Sequence, residues 1–135
     1  MRRLPPGFRF KHFYPEEEEI FAKWLETADW GLRIDTDVHL ETPRSLEVLR
    51  RHPDWPPSAR RIYMARIDAV IEKTDAIWLI EVKKKATASA MGRLIYYAEL
   101  YRDQFKPTKR IKLGIVCSEI PEEVREICER YGITV

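Results

Sequence analysis

The run Ala76-Ile-Trp-Leu-Ile-Glu-Val82 is nearly continuous in apolar side chains. A segment that short and that apolar reads as a strand at the centre of a sheet, covered on both faces. It therefore needs strands beside it and helices above and below it, and the rest of the chain supplies both. Pro15 opens a helix with Glu16 to Glu19 in its first turn, where the helix dipole favours acids, and Ile20, Phe21, Trp24, Leu25 and Ala28 form its apolar stripe. Leu32, Ile34, Thr36, Val38 and Leu40 alternate with Arg33, Asp35, Asp37 and His39, which predicts a strand with one wet face. Residues 41–60 read as a long connection with one short helix at 45–51, residues 62–71 as a second strand, and 72–75 as a turn into the apolar strand. A helix follows at 87–105, ended by Pro107. A fourth strand at 111–117, a helix from Pro121 to Arg130 stopped by Gly132, and a short fifth strand at 133–135 complete the order. This predicts an α/β (α+β) fold, a mixed sheet with helices packed on it.

The 135 residues suit one domain, expected at 15–135 behind an N-terminal arm at 1–14. No apolar run reaches the roughly 20 residues of a membrane span, and the basic start Met1-Arg-Arg-Leu-Pro-Pro has no apolar segment behind it. A cytoplasmic protein without membrane partners is expected. Net charge is only +2, but it is uneven. Arg2, Arg3, Arg9 and Lys11 stand without acids, as do Lys106, Lys109, Arg110 and Lys112. Local basic patches of this kind suit phosphates better than the total suggests. The absence of Asn, the single Gln104 and the abundance of Glu, Lys and Arg fit a thermophile source. Cys117 and Cys128 are too few for an all-cysteine metal site and read as packed thiols, with a disulfide the alternative in a hyperthermophile. Neither a P-loop nor G-x-G-x-x-G is present, so no nucleotide cofactor is expected.

The unusual residues lie in the middle strands. Asp68 interrupts the apolar Arg66-to-Ile71 stretch, and Glu81 and Lys83 close the apolar strand, two apart and so on one face. If 72–75 makes a hairpin, Asp68 approaches Glu81. Two adjoining buried carboxylates are costly without a counter-charge, and a divalent cation supplies one. A lysine beside it suits a water attacking a phosphodiester. The spacing alone also describes a strand-end ion pair Glu81–Lys83 with Asp68 at an edge.

An aspartate strand, a Glu-Val-Lys strand and a tyrosine helix, as in RIDAVIE…IWLIEVKKKATASAMGRLIYYAELY, resemble the PD-(D/E)XK nuclease superfamily, in particular RecB-like nuclease domains and their small archaeal and viral relatives. The resemblance spans residues 15–117 and implies a restriction-endonuclease-like αβββαβ core with flanking helices. It implies Mg²⁺ or Mn²⁺ held by Asp68, Glu81 and the Val82 carbonyl, with Lys83 catalytic. It also implies a further glutamate from the first helix. Glu17 projects from the middle of the apolar stripe and is the choice, with Glu18 the alternative. Arg93 stands where the family has glutamine, with Tyr97 four residues on. Arg93 either grips a phosphate bidentately or pairs with Glu81 and makes the site structural. Lys84, Arg93, Tyr97 and Arg66 are the expected substrate-binding residues, with Lys85, Arg60, Arg61, Lys109, Arg110 and the arm as further basic candidates.

The implied activity is metal-dependent hydrolysis of DNA phosphodiester bonds, by an endonuclease or exonuclease. A Holliday-junction resolvase of the same superfamily and a non-cleaving nucleic-acid-binding module are the alternatives. A chain this small leaves homodimerisation open, since one domain covers little of a duplex. A stand-alone nuclease of this size also suits an archaeal virus, hence host cytoplasm.

Overall fold

The computed structural model describes residues 13–28 and 31–135 of the protein. The basic arm residues Arg2, Arg3, Arg9 and Lys11 lie outside the described residues. The elements run α1 (Pro15–Thr27), β1 (Arg33–Leu40), α2 (Pro43–Arg51), α3 (Pro57–Arg60), a 3₁₀ turn (Arg61–Tyr63), β2 (Ala65–Glu72), β3 (Ala76–Lys85), α4 (Ala88–Phe105), β4 (Arg110–Glu119), α5 (Glu122–Arg130) and β5 (Ile133–Thr134). They build one five-stranded sheet in the order β1-β2-β3-β4-β5. The first two pairings are antiparallel and the last two parallel. The fold is mixed α/β, as the apolar strand requires.

That strand sits at the centre and is buried on both faces. Ile77 and Leu79 face a core with Ala90, Leu94 and Ala98 of α4 and Cys128 of α5. Ile80 and Val82 face a second core with Phe21 and Leu25 of α1, which includes Phe13. The Phe13 ring meets Phe21 edge-on at 5.2 Å. Each fully buried Leu or Ile is worth about 2 kcal/mol relative to exposure. A strand so rich in them can bury one ionisable residue and still form. Both cysteines are free thiols, Cys128 buried and Cys117 half-buried, so the disulfide alternative is not realised. Among the described residues, no helix is long and apolar enough to cross a membrane.

Two segments depart from the expectation. The connection before β2 is more helical than its prolines suggested, and β2 begins at Ala65 rather than at 62. Pro57 stands in the first turn of α3, where its missing N–H costs nothing. Tertiary bonds hold the rest. The Thr42 hydroxyl donates to the Tyr63 carbonyl at 2.7 Å, and Arg60 pairs with the half-buried Glu41. In β1 the expected wet-and-dry alternation fails. Ile34 packs on the α1 side and Val38, an even number of residues on, on the α4 side. The break falls at Asp37, a non-glycine residue at φ +54°. A left-handed residue within a strand turns the side chains that follow it to the other face.

Gly31 enters β1 at φ +64°, and a Cβ there would stand 2.4 Å from the Glu72 carbonyl oxygen. That carbonyl already accepts the Leu32 N–H at 2.7 Å. Gly31→Ala is expected to cost about 2 kcal/mol or more, read as a fall of roughly 5–10 °C in thermal midpoint. An unchanged midpoint would show that the turn relaxes freely.

Candidate functional site

β2 and β3 pair from Glu72↔Ile77 up to Ala69↔Ile80, and the ladder stops there. Next along β2 is Asp68, and next along β3 is Glu81. Where the backbone bonding ends, the Asp68 side chain takes it over: Oδ2 accepts the Val82 N–H at 2.8 Å. An aspartate in an apolar strand is thus explained locally. It satisfies a buried donor that the diverging strand no longer reaches.

Glu81 is 3% exposed. Burial, and then the neighbouring Asp68 carboxylate, push its pKa up to about 8, against the opposing pull of Lys83 and Arg93. Neither cation lies within ion-pair distance of Glu81 among the described residues, so the strand-end pair Glu81–Lys83 and the pair Arg93–Glu81 are both absent there. Asp68, Glu81 and Lys83 open into one cleft of about 380 Å³, walled by Arg66 of β2 and by Arg93 and Tyr97 of α4. The Tyr97 hydroxyl is pushed above its ordinary pKa, first by burial and then by Glu81. Arg66 reaches across to Asp37 of β1, Nε to Oδ1 at 3.4 Å.

Seven of the sequence-selected residues therefore converge: Asp68, Glu81, Lys83, Arg66, Arg93, Tyr97 and Arg61, the last named only as a further basic candidate. Val82 contributes its N–H to Asp68. Glu17 is half-buried on α1 and close enough to Glu81 to raise its pKa slightly, but it is not among the cleft-lining residues. Lys84 goes elsewhere. Its side chain alternates to the α1 side, where Nζ pairs with Glu16 at 3.5 Å and lines a separate groove beside Trp24 and Val116. Lysine 84 is thus removed from the cleft by strand geometry. The sequence reading did not place Met64 and Ala65 at the cleft, and it left His39 as one option on a wet strand face. Their positions depend on the 3₁₀ turn before β2 and on the twist of β1 after Asp37.

As a metal site, the acid pair is a set of hard oxygen donors. Two carboxylates suit Mg²⁺, which takes one or two carboxylates and keeps several waters. Among the described residues there is no group of three or more His, Cys, Asp or Glu side chains arranged to hold a metal ion. A cation here would rely on two side-chain carboxylates. It would also relieve the repulsion that raises the Glu81 pKa.

No family model, no curated protein and no solved structure matches the chain.

Proposed function

We propose that the protein is a metal-dependent nuclease that hydrolyses DNA phosphodiester bonds, using Mg²⁺ or Mn²⁺ at Asp68 and Glu81. The observation that carries this reading is a buried carboxylate against a second carboxylate, with a lysine, three arginines and a tyrosine opening into the same cleft. A bound divalent cation supplies Lewis-acid polarisation and a more acidic water. Asp68 and Glu81 hold it, and the Asp68 bond to Val82 fixes the carboxylate's direction. Lys83 orients the attacking water and stabilises charge developing on the phosphate. Arg66 and Arg93 draw the phosphodiester into the cleft, and Arg93 offers the bidentate donor geometry that its position in α4 calls for. Glu17, outside the cleft lining, adds negative field at Glu81 that a bound cation would offset. The PD-(D/E)XK, RecB-like assignment, a cytoplasmic site of action and an archaeal-virus setting belong to the same reading.

The test is cleavage of single-stranded, linear duplex, flapped and four-way-junction DNA with Mg²⁺ or Mn²⁺ at elevated temperature, with Asp68→Asn alongside. Cleavage that Asp68→Asn lowers at least about 100-fold supports the reading. Preference for the junction would make the protein a resolvase. Binding of DNA with no cleavage under either metal would overturn the nuclease reading in favour of a non-cleaving module, the alternative that Arg93 in place of a glutamine motivates.

A further inference from the structure

Between β1 and β2 the chain leaves the sheet for residues 43–63, and this projection has an unusual surface. Leu46 is 52% exposed, Leu49 and Trp55 are 41% exposed, and Ile62 is 76% exposed. Apolar side chains left this open in one short segment call for an occupant. The base of the projection is nevertheless fixed. Ser45, fully buried, closes a capping box with Thr42, and its hydroxyl donates to Glu41 Oε2 at 2.6 Å. Glu41 also holds Arg60, and its own N–H donates to Gln104 of α4 at 2.7 Å. What remains open is a rigidly mounted tip.

The tip carries a flat ring pair. His52 and Trp55 stack with centroids 3.9 Å apart and planes 7° from parallel. The charge around it is one-sided. Residues 43–62 hold five arginines against Glu47 and Asp54, so this segment alone exceeds the +2 of the whole chain. Arg60 is committed to Glu41, and Arg50 and Arg51 share Glu47. Arg61 lines the acid cleft itself, and among the described residues no carboxylate pairs with it.

We propose that this projection is a base-stacking platform for unpaired nucleotides of a DNA strand that continues into the cleft. The inference rests on the DNA substrate proposed above and names its form. A polyanion matches the arginine excess. Exposed rings and aliphatic side chains need flat apolar partners, which bases provide once they leave a duplex and not while they are stacked within it. Arg61 joins the platform to the cleft, so a strand lying over Trp55 and Ile62 leads to Asp68 and Glu81.

The test uses a labelled 20-mer of oligothymidylate and a 20-base-pair duplex, in chelator so that nothing is cut, with affinity read by fluorescence anisotropy. Trp55→Ala is expected to weaken oligothymidylate binding about 10-fold or more, and duplex binding by less than about twofold. Trp55→Phe is expected to restore most of the loss. Ile62→Ser, at a site with almost no packing to lose, is expected to weaken single-strand binding in the same direction. Equal losses on both DNAs, or no loss on either, would overturn the platform. So would a Trp55→Ala protein that changes only from dimer to monomer in sedimentation, since the face would then cover a second copy. Binding is read without metal, so the two readings fail separately. A wild type that binds oligothymidylate through Trp55 but cuts nothing keeps the platform and loses the nuclease.

Discussion

A Lys83→Ala protein is expected to cleave DNA at least about 100-fold more slowly than the wild type, with little change in stability. Lys83 follows Glu81 on the same face of β3 and pairs across the sheet with Cys117, so its backbone is fixed by the parallel ladder. Its ammonium opens into the acid cleft, and among the described residues it has no carboxylate partner within ion-pair distance. On the proposed function, that ammonium is open to an incoming phosphate or water. Lys84→Ala is the control built into the same strand. Its partner Glu16 is on the α1 side, and its side chain is exposed. Cleavage by Lys84→Ala is expected to stay within about twofold of wild type, since a lost surface pair is worth under about 1 kcal/mol. Cleavage rates compared at saturating Mn²⁺ decide it. A fully active Lys83→Ala protein would remove the lysine from the mechanism.

The second large effect concerns stability. Glu81 keeps its proton up to about pH 8 in the folded protein, against an ordinary value of 4.5. Below 4.5 both the folded and the unfolded chain hold that proton, and Glu81 makes no pH-dependent contribution. Between 4.5 and about 8 the unfolded chain releases it while the folded chain retains it, so stability falls as pH rises. Above about 8 both forms are ionised, and the destabilisation is complete. The slope is at most about 1.4 kcal/mol per pH unit, and the whole loss amounts to a few kcal/mol. In chelator, Glu81→Gln is expected to match the wild type near pH 4.5 and to exceed it near pH 8 by roughly 10 °C in thermal midpoint. A glutamine keeps the shape and cannot carry the charge. Parallel midpoint curves for the two proteins would show that Glu81 ionises freely in the folded state.

Much of this was legible in the residues. Five apolar residues in a row, Ala76 to Ile80, announced the central strand, and Glu81 and Lys83 at its end followed the period of two. The same period separates Lys84 from Lys83, so its place on the far face, beside Glu16, was also readable. What was not legible depends on distant partners. The single-turn helix at Pro57 is stabilised by Arg60 reaching Glu41, nineteen residues away. The left-handed conformation of Asp37 has no glycine to announce it, and it reverses the faces of β1. The role of Asp68 as acceptor for Val82 arises only where two strands part, and no spacing rule gives the point of parting.

The Asp37 reversal bears on how copies of the protein can meet. β1 is one rim of the sheet and β5, two residues long, is the other. A rim broken by a left-handed residue and lined by Arg33, Asp35 and Asp37 is a poor template for another backbone, and a two-residue rim offers almost no hydrogen-bonding length. Neither rim of the described sheet therefore favours extension of the sheet from one molecule into the next. Such blunting protects a chain rich in β-branched residues from fibrous assembly, and it leaves side-chain surfaces as the route to any pairing of subunits.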